Sequence, residues 1–568
     1  MGDSEYLRIL RSGVHAWNNW RIANSWTEDG GIDLSGADLR GASLSGARLR
    51  GVNFTMANLY DADLSHMDLH HGHEKIGTCF TEAILVRSNF SNSRLGRIDF
   101  RGADLRDANF KGASLHNANL EGGKFDRADF HGAILAEAIL RGANLSSTNL
   151  REANFYKAIL SDSNFTGNEL SGTKFRNAYL VDAVFSGAKL HESTLSGANL
   201  SGAKFDGADL RETDLSGANL TRVQFDGADL RGTDLSGANL TRVQFDGADL
   251  RGANLSTADL TEAKFDGADL RGANLSGANL SEVVLRNFDL TDTNLSKANL
   301  ERADFGAANL NKVNLDGANL TEANFCLANL SEASFRSTIL NGTNLTGANL
   351  QYASMIETNL EGASLTGCRI YGLSVWGLRG TPTKQTDLII THENESNITV
   401  DDLQIAQFIY LLLTNRNVRN IIDVVASKVV LILGRFTEER KAILDALHSE
   451  LRNRNYLPVL FDFDAPVSRD LTETISTLAH MARFVIADIT DAKSIPQELQ
   501  TIVPNLPSVP VQPILLKSQS EYGMFEHFKR YPWVLPTYEY EDIKQVVTTI
   551  SKNILSPLEQ KWIEQRAK

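Results

Sequence analysis

From Phe80 to Val375 every fifth residue is Leu or Phe, except Met355, Ile370 and Val375, giving 60 consecutive positions in phase. An earlier run, Leu34 to Leu69, adds eight more. Neither a helix of 3.6 residues per turn nor a strand of period 2 keeps such a set on one face. A chain that turns a corner after each pentad does. The usual unit, as in Ala37-Asp38-Leu39-Arg40-Gly41, has a small residue two places before the large apolar one. Those two point inward, and the Asp, Asn, Arg, Ser and Thr between them point outward.

A second period gives the number of sides. Phe205-Asp206-Gly207-Ala208-Asp209-Leu210 recurs at Phe225, Phe245 and Phe265, so one coil takes 20 residues and has four sides. At the spacing of hydrogen-bonded strands, ~4.8 Å, the pentads build a rod on the order of 80 Å long. All eleven prolines lie at or beyond Pro382. Proline would delete a ladder donor, so its absence marks the extent of the coils.

These repeats resemble the pentapeptide-repeat family over residues 31–376, and the resemblance implies a right-handed quadrilateral β-helix. The open ends of such a solenoid are strand edges that need covers. Residues 1–30 supply one: Leu7, Leu10, Val14, Trp17 and Trp20 recur at helical spacing, predicting one amphipathic helix over Tyr6 to Ser25. The far end is expected near Trp376. Leu69 and Phe80 stand 11 apart, so a bulge or short loop with one lost core position is expected between them. His66, His70, His71, His73, Glu74 and Cys79 gather there in no defined zinc spacing, and a solvated loop accounts for them without a metal.

Net charge is −14, of which residues 1–380 carry −10 and the remainder −4. Direct nucleic-acid binding, which needs clustered cations, is therefore disfavoured. Three cysteines, Cys79, Cys326 and Cys368, make no disulfide framework, and the start Met1-Gly2-Asp3-Ser4-Glu5 lacks a basic and apolar leader. A cytoplasmic location follows as the expectation. The longest apolar stretch, Ile405 to Leu413, is too short for the ~20 residues of a membrane span.

Past residue 376 the pattern changes. Residues 377–426 are assigned to a polar linker and an apolar helix carrying Leu403, Ile405, Ala406, Ile409, Leu412 and Leu413. Residues 427–568 alternate strand and helix, with strands at Val429 to Leu433, Leu457 to Phe461, Phe484 to Ile489, Val511 to Leu516 and Val534 to Thr537. Helices are placed at Thr437 to Asn453 and Leu471 to Met481. Short apolar runs between amphipathic helices predict a parallel α/β sheet, with the flavodoxin-like order 2-1-3-4-5. Ligands of such sheets bind at the carboxyl ends of the first and third strands, where the winding reverses. Gly434, Arg435 and Phe436 follow the first strand; Asp488, Ser494 and Glu498 follow the third.

This stretch resembles a Toll/interleukin-1 receptor (TIR) domain and, more distantly, nucleoside deoxyribosyltransferases, over about residues 427–556. In enzymatic TIR domains a glutamate on the helix after the third strand cleaves the nicotinamide–ribose bond of NAD, and Glu498 is its positional match. NAD then enters as a substrate, with no resident cofactor. A carboxylate suits the oxocarbenium-like state of such cleavage, and Arg435 suits a pyrophosphate. The approach Lys493-Ser494-Ile495-Pro496-Gln497-Glu498 lacks the family's Trp and Cys, and the Ser-Tyr pair that commonly ends the first strand is missing. Both absences weigh against activity. Ser494 to Gln497 also reads as a capping box, in which Glu498 merely favours the helix dipole.

Three functions remain open. The first is a defence or signalling protein, a likeness to bacterial immune proteins, whose rod senses partners or self-assembles into a homo-oligomer while a TIR-like NADase acts as effector. The second is a non-enzymatic scaffold with a TIR-like docking domain. The third is a DNA mimic that binds topoisomerases, which the resemblance to pentapeptide proteins brings in.

Overall fold

The computed structural model describes residues 5–24, 31–69, 77–392, 398–414, 428–434, 438–462, 479–490, 499, 503–505, 507–520 and 523–566. They fall into two units, Met1–Tyr410 and Leu411–Lys568.

In the first unit the ladder steps by one coil at a time. Asp209 bridges Asp229, which bridges Asp249, which bridges Asp269, all parallel. The amide of Leu39 donates to the Asn58 carbonyl (2.7 Å), and the amide of Asn58 donates to the Ala37 carbonyl (2.9 Å). Each side thus contributes little more than a bridge. After most inner Leu or Phe residues the chain makes a β-turn closed by an i→i+3 bond, as from Ala37 to Leu34 (3.1 Å). The second central residue of that turn has positive φ, even for Asp61 (58°), Glu212 (56°) and Lys312 (60°). An L-residue there costs roughly 1–2 kcal/mol, so ladder and core together impose the corner.

The interior is filled as the pattern requires. Leu210, Leu230 and Leu250 are fully buried. Phe165, Phe185, Phe205, Phe225, Phe245 and Phe265 stack in one column, ring on ring at 4.7–5.3 Å. The small inward position tolerates a hydroxyl because the coil beneath offers a carbonyl: Thr213 donates to Leu190 (2.8 Å) and Thr233 to Leu210 (2.7 Å). Where Phe125 leans inward even a methyl group is excluded, since a Cβ on Gly123 would lie 2.7 Å from its ring. Outside, Asn side chains run in ladders of their own, Asn294 to Asn274 (3.1 Å) and Asn274 to Asn254 (3.0 Å).

The break corrects the sequence expectation. Asn53, Asn58, Asp63 and Asp68 pair with Cys79, Ile84, Asn89 and Arg94, so the register across it is 26 residues instead of 20. No core position is lost: Phe54 stacks directly on Phe80 at 5.0 Å. His70 to Ile76 lie outside the described residues. Cys79 sits in the coil wall, its thiol against the hydroxyls of Thr81 (3.0 Å) and Thr55 (3.5 Å).

Both covers also differ from expectation. The N-terminal helix is two, α1 (Glu5–Arg11) and α2 (Val14–Ala23), separated at Gly13, whose φ is 115°. Their apolar face docks through Leu7, Leu10 and Trp17, and polar side chains occupy the open strand edge as well. Trp17 donates to the Arg48 carbonyl (2.9 Å), Arg21 to Arg50 (2.7 Å) and Arg11 to Asp38 (2.8 Å). At the other end the coils run past Trp376: Asn359, Ser364 and Arg369 bridge Arg379, Lys384 and Ile389. Pro382 is tolerated because it lies in the last coil. The matching amides, Gly342 and Gly362, donate to Glu361 and Thr381 of the coil that follows, and Pro382 has none to serve. A short antiparallel pair, Leu388–Ile389 with Thr399–Val400, and α3 (Leu403–Thr414) close this end. Leu388, Ile390, Leu403 and Ala406 extend the solenoid core, so much of what reads as linker is lid.

The second unit holds a five-stranded, wholly parallel sheet: β1 (Val429–Gly434), β2 (Leu457–Asp462), β3 (Phe484–Asp488), β4 (Val511–Leu516) and β5 (Tyr538–Tyr540). The order across it is β2-β1-β3-β4-β5. One face carries α4 (Glu438–Asn453), α5 (Ile543–Thr549) and α6 (Ser556–Arg566) through Leu444, Leu447, Val546 and Leu558; the other buries Leu431, Leu433, Val485 and Phe525. The fifth strand begins later than the sequence suggests. Pro536 interrupts the run of amides, so Val534 makes a lone bridge to Val511 and the pairing resumes at Tyr538.

Candidate functional site

In a parallel sheet of this order the carboxyl ends of β1 and β3 are neighbours, where connections leave in opposite directions. Leu433 pairs with Ala487, which brings Gly434 and Asp488 together. A Cβ on Gly434 would lie 3.0 Å from Leu444 of α4 and 3.5 Å from the Cβ of Asp488. The glycine therefore lets helix and strands close on each other.

Asp488 is 2% exposed and saturated with partners. One carboxylate oxygen accepts from the Thr490 amide (3.1 Å) and hydroxyl (2.6 Å). The other accepts from Arg440, in the first turn of α4, through Nε at 3.0 Å and through a second guanidinium nitrogen. Arg440 also reaches the hydroxyls of Thr490 (3.0 Å) and Tyr540. Thr490 in turn accepts from the Leu516 amide of β4 (3.1 Å). Four elements, α4, β3, β4 and β5, meet in this knot. Burial works against the Arg440 charge, but Asp488 and the hydrogen bonds outweigh it and hold the guanidinium above its ordinary range. Burial, then the Asp488 charge, raise the Tyr540 phenol, which stays protonated.

Of the residues singled out by sequence, Gly434 and Asp488 are thus brought together. Arg435, Phe436, Ser494 and Glu498 lie outside the described residues. Asp488 already spends its oxygens on Arg440 and Thr490, which makes it an anchor for the strand end. Sequence reasoning missed Arg440, Thr490 and Tyr540. Arg440 opens the helix that follows the first strand, and that position is the signal that could have found it.

At the amino ends of the strands lies a second cluster, of which Tyr456 and Glu559 line an open groove of about 590 Å³. The Tyr456 hydroxyl donates to Glu559 (2.5 Å), Arg483 pairs with the same carboxylate, and its guanidinium lies 4.1 Å from the Trp562 ring centre. Burial, then the Glu559 partner, push the Tyr456 phenol up to about 12.

The solenoid presents a different surface. Arg211, Arg231, Arg251 and Arg271 each grip the aspartate two residues before, as Arg251 does Asp249 (2.8 and 2.6 Å). The first three also reach the aspartate of the next coil at 3.5 Å, making a neutral zipper. Beside it Asp206, Asp226 and Asp246 stand in line without such partners. Burial, then the neighbouring carboxylates, raise the Asp226 pKa. Elsewhere apolar residues replace the usual outward Asn or Asp: Ile139, Ile159 and Tyr179 bridge one another in successive coils, and Tyr179 is 52% exposed.

The sequence matches the family described as pentapeptide repeats (8 copies) over residues 31–70, 83–122, 198–237, 238–277 and 328–367. It matches the family described as pentapeptide repeat region over 138–215 and 258–333. This chain belongs to the pentapeptide-repeat proteins. Family membership carries the right-handed sense of the β-helix. Among solved pentapeptide-repeat structures, HetL of the cyanobacterium Nostoc sp. strain PCC 7120 is 28% identical, covering 47% of this chain and 93% of its own (TM-score 0.17). Rfr23 of the cyanobacterium Cyanothece 51142 is 26% identical, covering 19% and 91% (TM-score 0.17). QnrB1, a plasmid-mediated fluoroquinolone resistance protein, is 21% identical, covering 37% and 91% (TM-score 0.20). No curated protein matches the chain significantly. The matched families end at residue 367, and no helix among the described residues is long and apolar enough to cross a membrane.

Proposed function

We infer that this pentapeptide-repeat protein is an interaction scaffold whose solenoid wall binds protein, either a partner or a second copy. The observation that carries this reading is the outward column Ile139, Ile159 and Tyr179, flanked by Tyr156. The fold asks nothing apolar of these sites, since Asn119 and Asn199 occupy the same column just before and after. Ile139 and Ile159 are half-buried and Tyr179 is exposed, and apolar side chains left accessible in a contiguous set mark contact surfaces. Replacing Ile159 and Tyr179 together by Asn restores the ordinary ladder residue. Sedimentation velocity and partner pull-down should then show association lost with coil stability kept. Association indifferent to this pair would remove the reading.

A second reading keeps the C-terminal unit as a TIR-like effector that cleaves NAD through Glu498. What supports it is the strand order, which sets Gly434 and Asp488 at the reversal of winding, where α/β folds hold nucleotides. The test is nicotinamide release by wild type and Glu498→Gln under oligomerising conditions; no release from either ends it. The duplex-mimic alternative has only the column Asp206, Asp226 and Asp246 in its favour, beside a neutral zipper. Gyrase supercoiling unchanged by the protein would dismiss it.

A further inference from the structure

We propose that His191, Glu192 and Glu212 form a divalent-metal site of the zinc class on the outer wall of the solenoid, clamping two successive coils. One ligand atom from each of the three lies within 4.8 Å of the others. Glu192 and Glu212 occupy the same corner of adjacent coils, both at positive φ, and His191 precedes Glu192 in the same turn. Gly172 and Gly232, which carry no side chain, hold that corner in the coils on either side.

The histidine is held as a metal-ligating histidine is held. Its Nδ1 lies 3.0 Å from the carbonyl oxygen of Arg211, which can only accept, so Nδ1 carries the proton. That leaves the Nε2 lone pair facing the carboxylates, 3.6 Å from Glu192. A backbone carbonyl that fixes the tautomer is the usual outer partner of such a ligand. The nearby guanidinium of Arg211 is engaged first by Asp209 (2.7 Å) and Asp229 (3.5 Å), and Glu212 is a lesser charge partner to it. One imidazole nitrogen and two carboxylate oxygens suit Zn²⁺ and its neighbours better than Mg²⁺ or Ca²⁺, which prefer oxygen alone. Three protein ligands leave a fourth position for water.

The ligands fit no local metal motif, since 21 residues separate His191 from Glu212. Only the stacking of coils unites them.

The test uses the full chain, stripped of metal and titrated with Zn²⁺ by calorimetry at near-neutral pH, with Co²⁺ absorption as a second readout. Wild type should bind one equivalent more than His191→Ala and one more than Glu212→Gln. Both variants should keep the metal-free unfolding temperature of wild type. Zn²⁺ should raise that temperature in wild type more than in either variant, because ligands from two coils are tied together. Equal stoichiometry in wild type and His191→Ala, as would arise from the histidines at 70–73, overturns the proposal. So does a failure to bind at millimolar Zn²⁺.

Discussion

The two units hold themselves together by opposite means. In the solenoid every contact repeats the one a coil away, and stability is close to a sum of equal local terms. In the C-terminal unit one buried knot draws Arg440 to Asp488, Thr490 and Tyr540, 48, 50 and 100 residues distant. The solenoid can therefore absorb variation at single positions, as at its 26-residue coil, whereas the sheet depends on a few residues that have no substitutes. This contrast explains why outward sites on the coils are free to take up binding roles.

The sharpest way to break the comparison is Asp488→Ala. It leaves the Arg440 charge buried and unpaired and should cost about 3–5 kcal/mol, seen as a denaturant transition of the C-terminal unit alone. Arg440→Met with Asp488→Leu should recover much of that loss. Next is Leu230→Ala, which opens a cavity between two stacked leucines and should cost about 2–4 kcal/mol in the solenoid transition. If that cost spread to the C-terminal transition, the units would not be energetically separate. Thr213→Val removes one hydroxyl bond to the Leu190 carbonyl and should cost only about 1 kcal/mol.

The smallest effect is in the acid range. Asp209, Asp229, Asp249 and Asp269 have pKa values lowered chiefly by their arginines, against an ordinary 3.8. A lowered folded-state value adds stability above the unfolded pKa and loses it as pH falls through the folded one. The solenoid transition should therefore weaken below about pH 4 and hold steady above it. Asp226 has the opposite sign: its raised pKa favours the fold as pH falls. Asp226→Asn should accordingly raise the melting temperature slightly at neutral pH, and a drop would contradict the like-charge column.

Legibility followed the same divide. The five-residue beat set the coil, the inward set and the 20-residue ladder, because each depends on sequence neighbours and on one repeated step. The covers were half legible: Trp17 and Leu10 read as an apolar face, while Arg11 and Arg21 on the edge carbonyls did not, since only the finished edge offers those carbonyls. In the C-terminal unit, alternating apolar runs located four strands well and misplaced the fifth by ignoring Pro536. Of the candidate site, Gly434 and Asp488 were legible as strand ends, and Arg440 was not, because a charged residue on an amphipathic helix looks solvated until the strand beneath it is placed.

By itself the sequence determined the square coil, its length and its inward residues, since a fixed period constrains every repeat in the same way. Tertiary structure alone decided which distant side chains meet in the C-terminal unit: Arg440 with Asp488, Thr490 and Tyr540. The reason is physical. A fixed period tells a side chain which way to point and which residue lies one coil away, whereas in the sheet only the winding of the chain tells it what lies there.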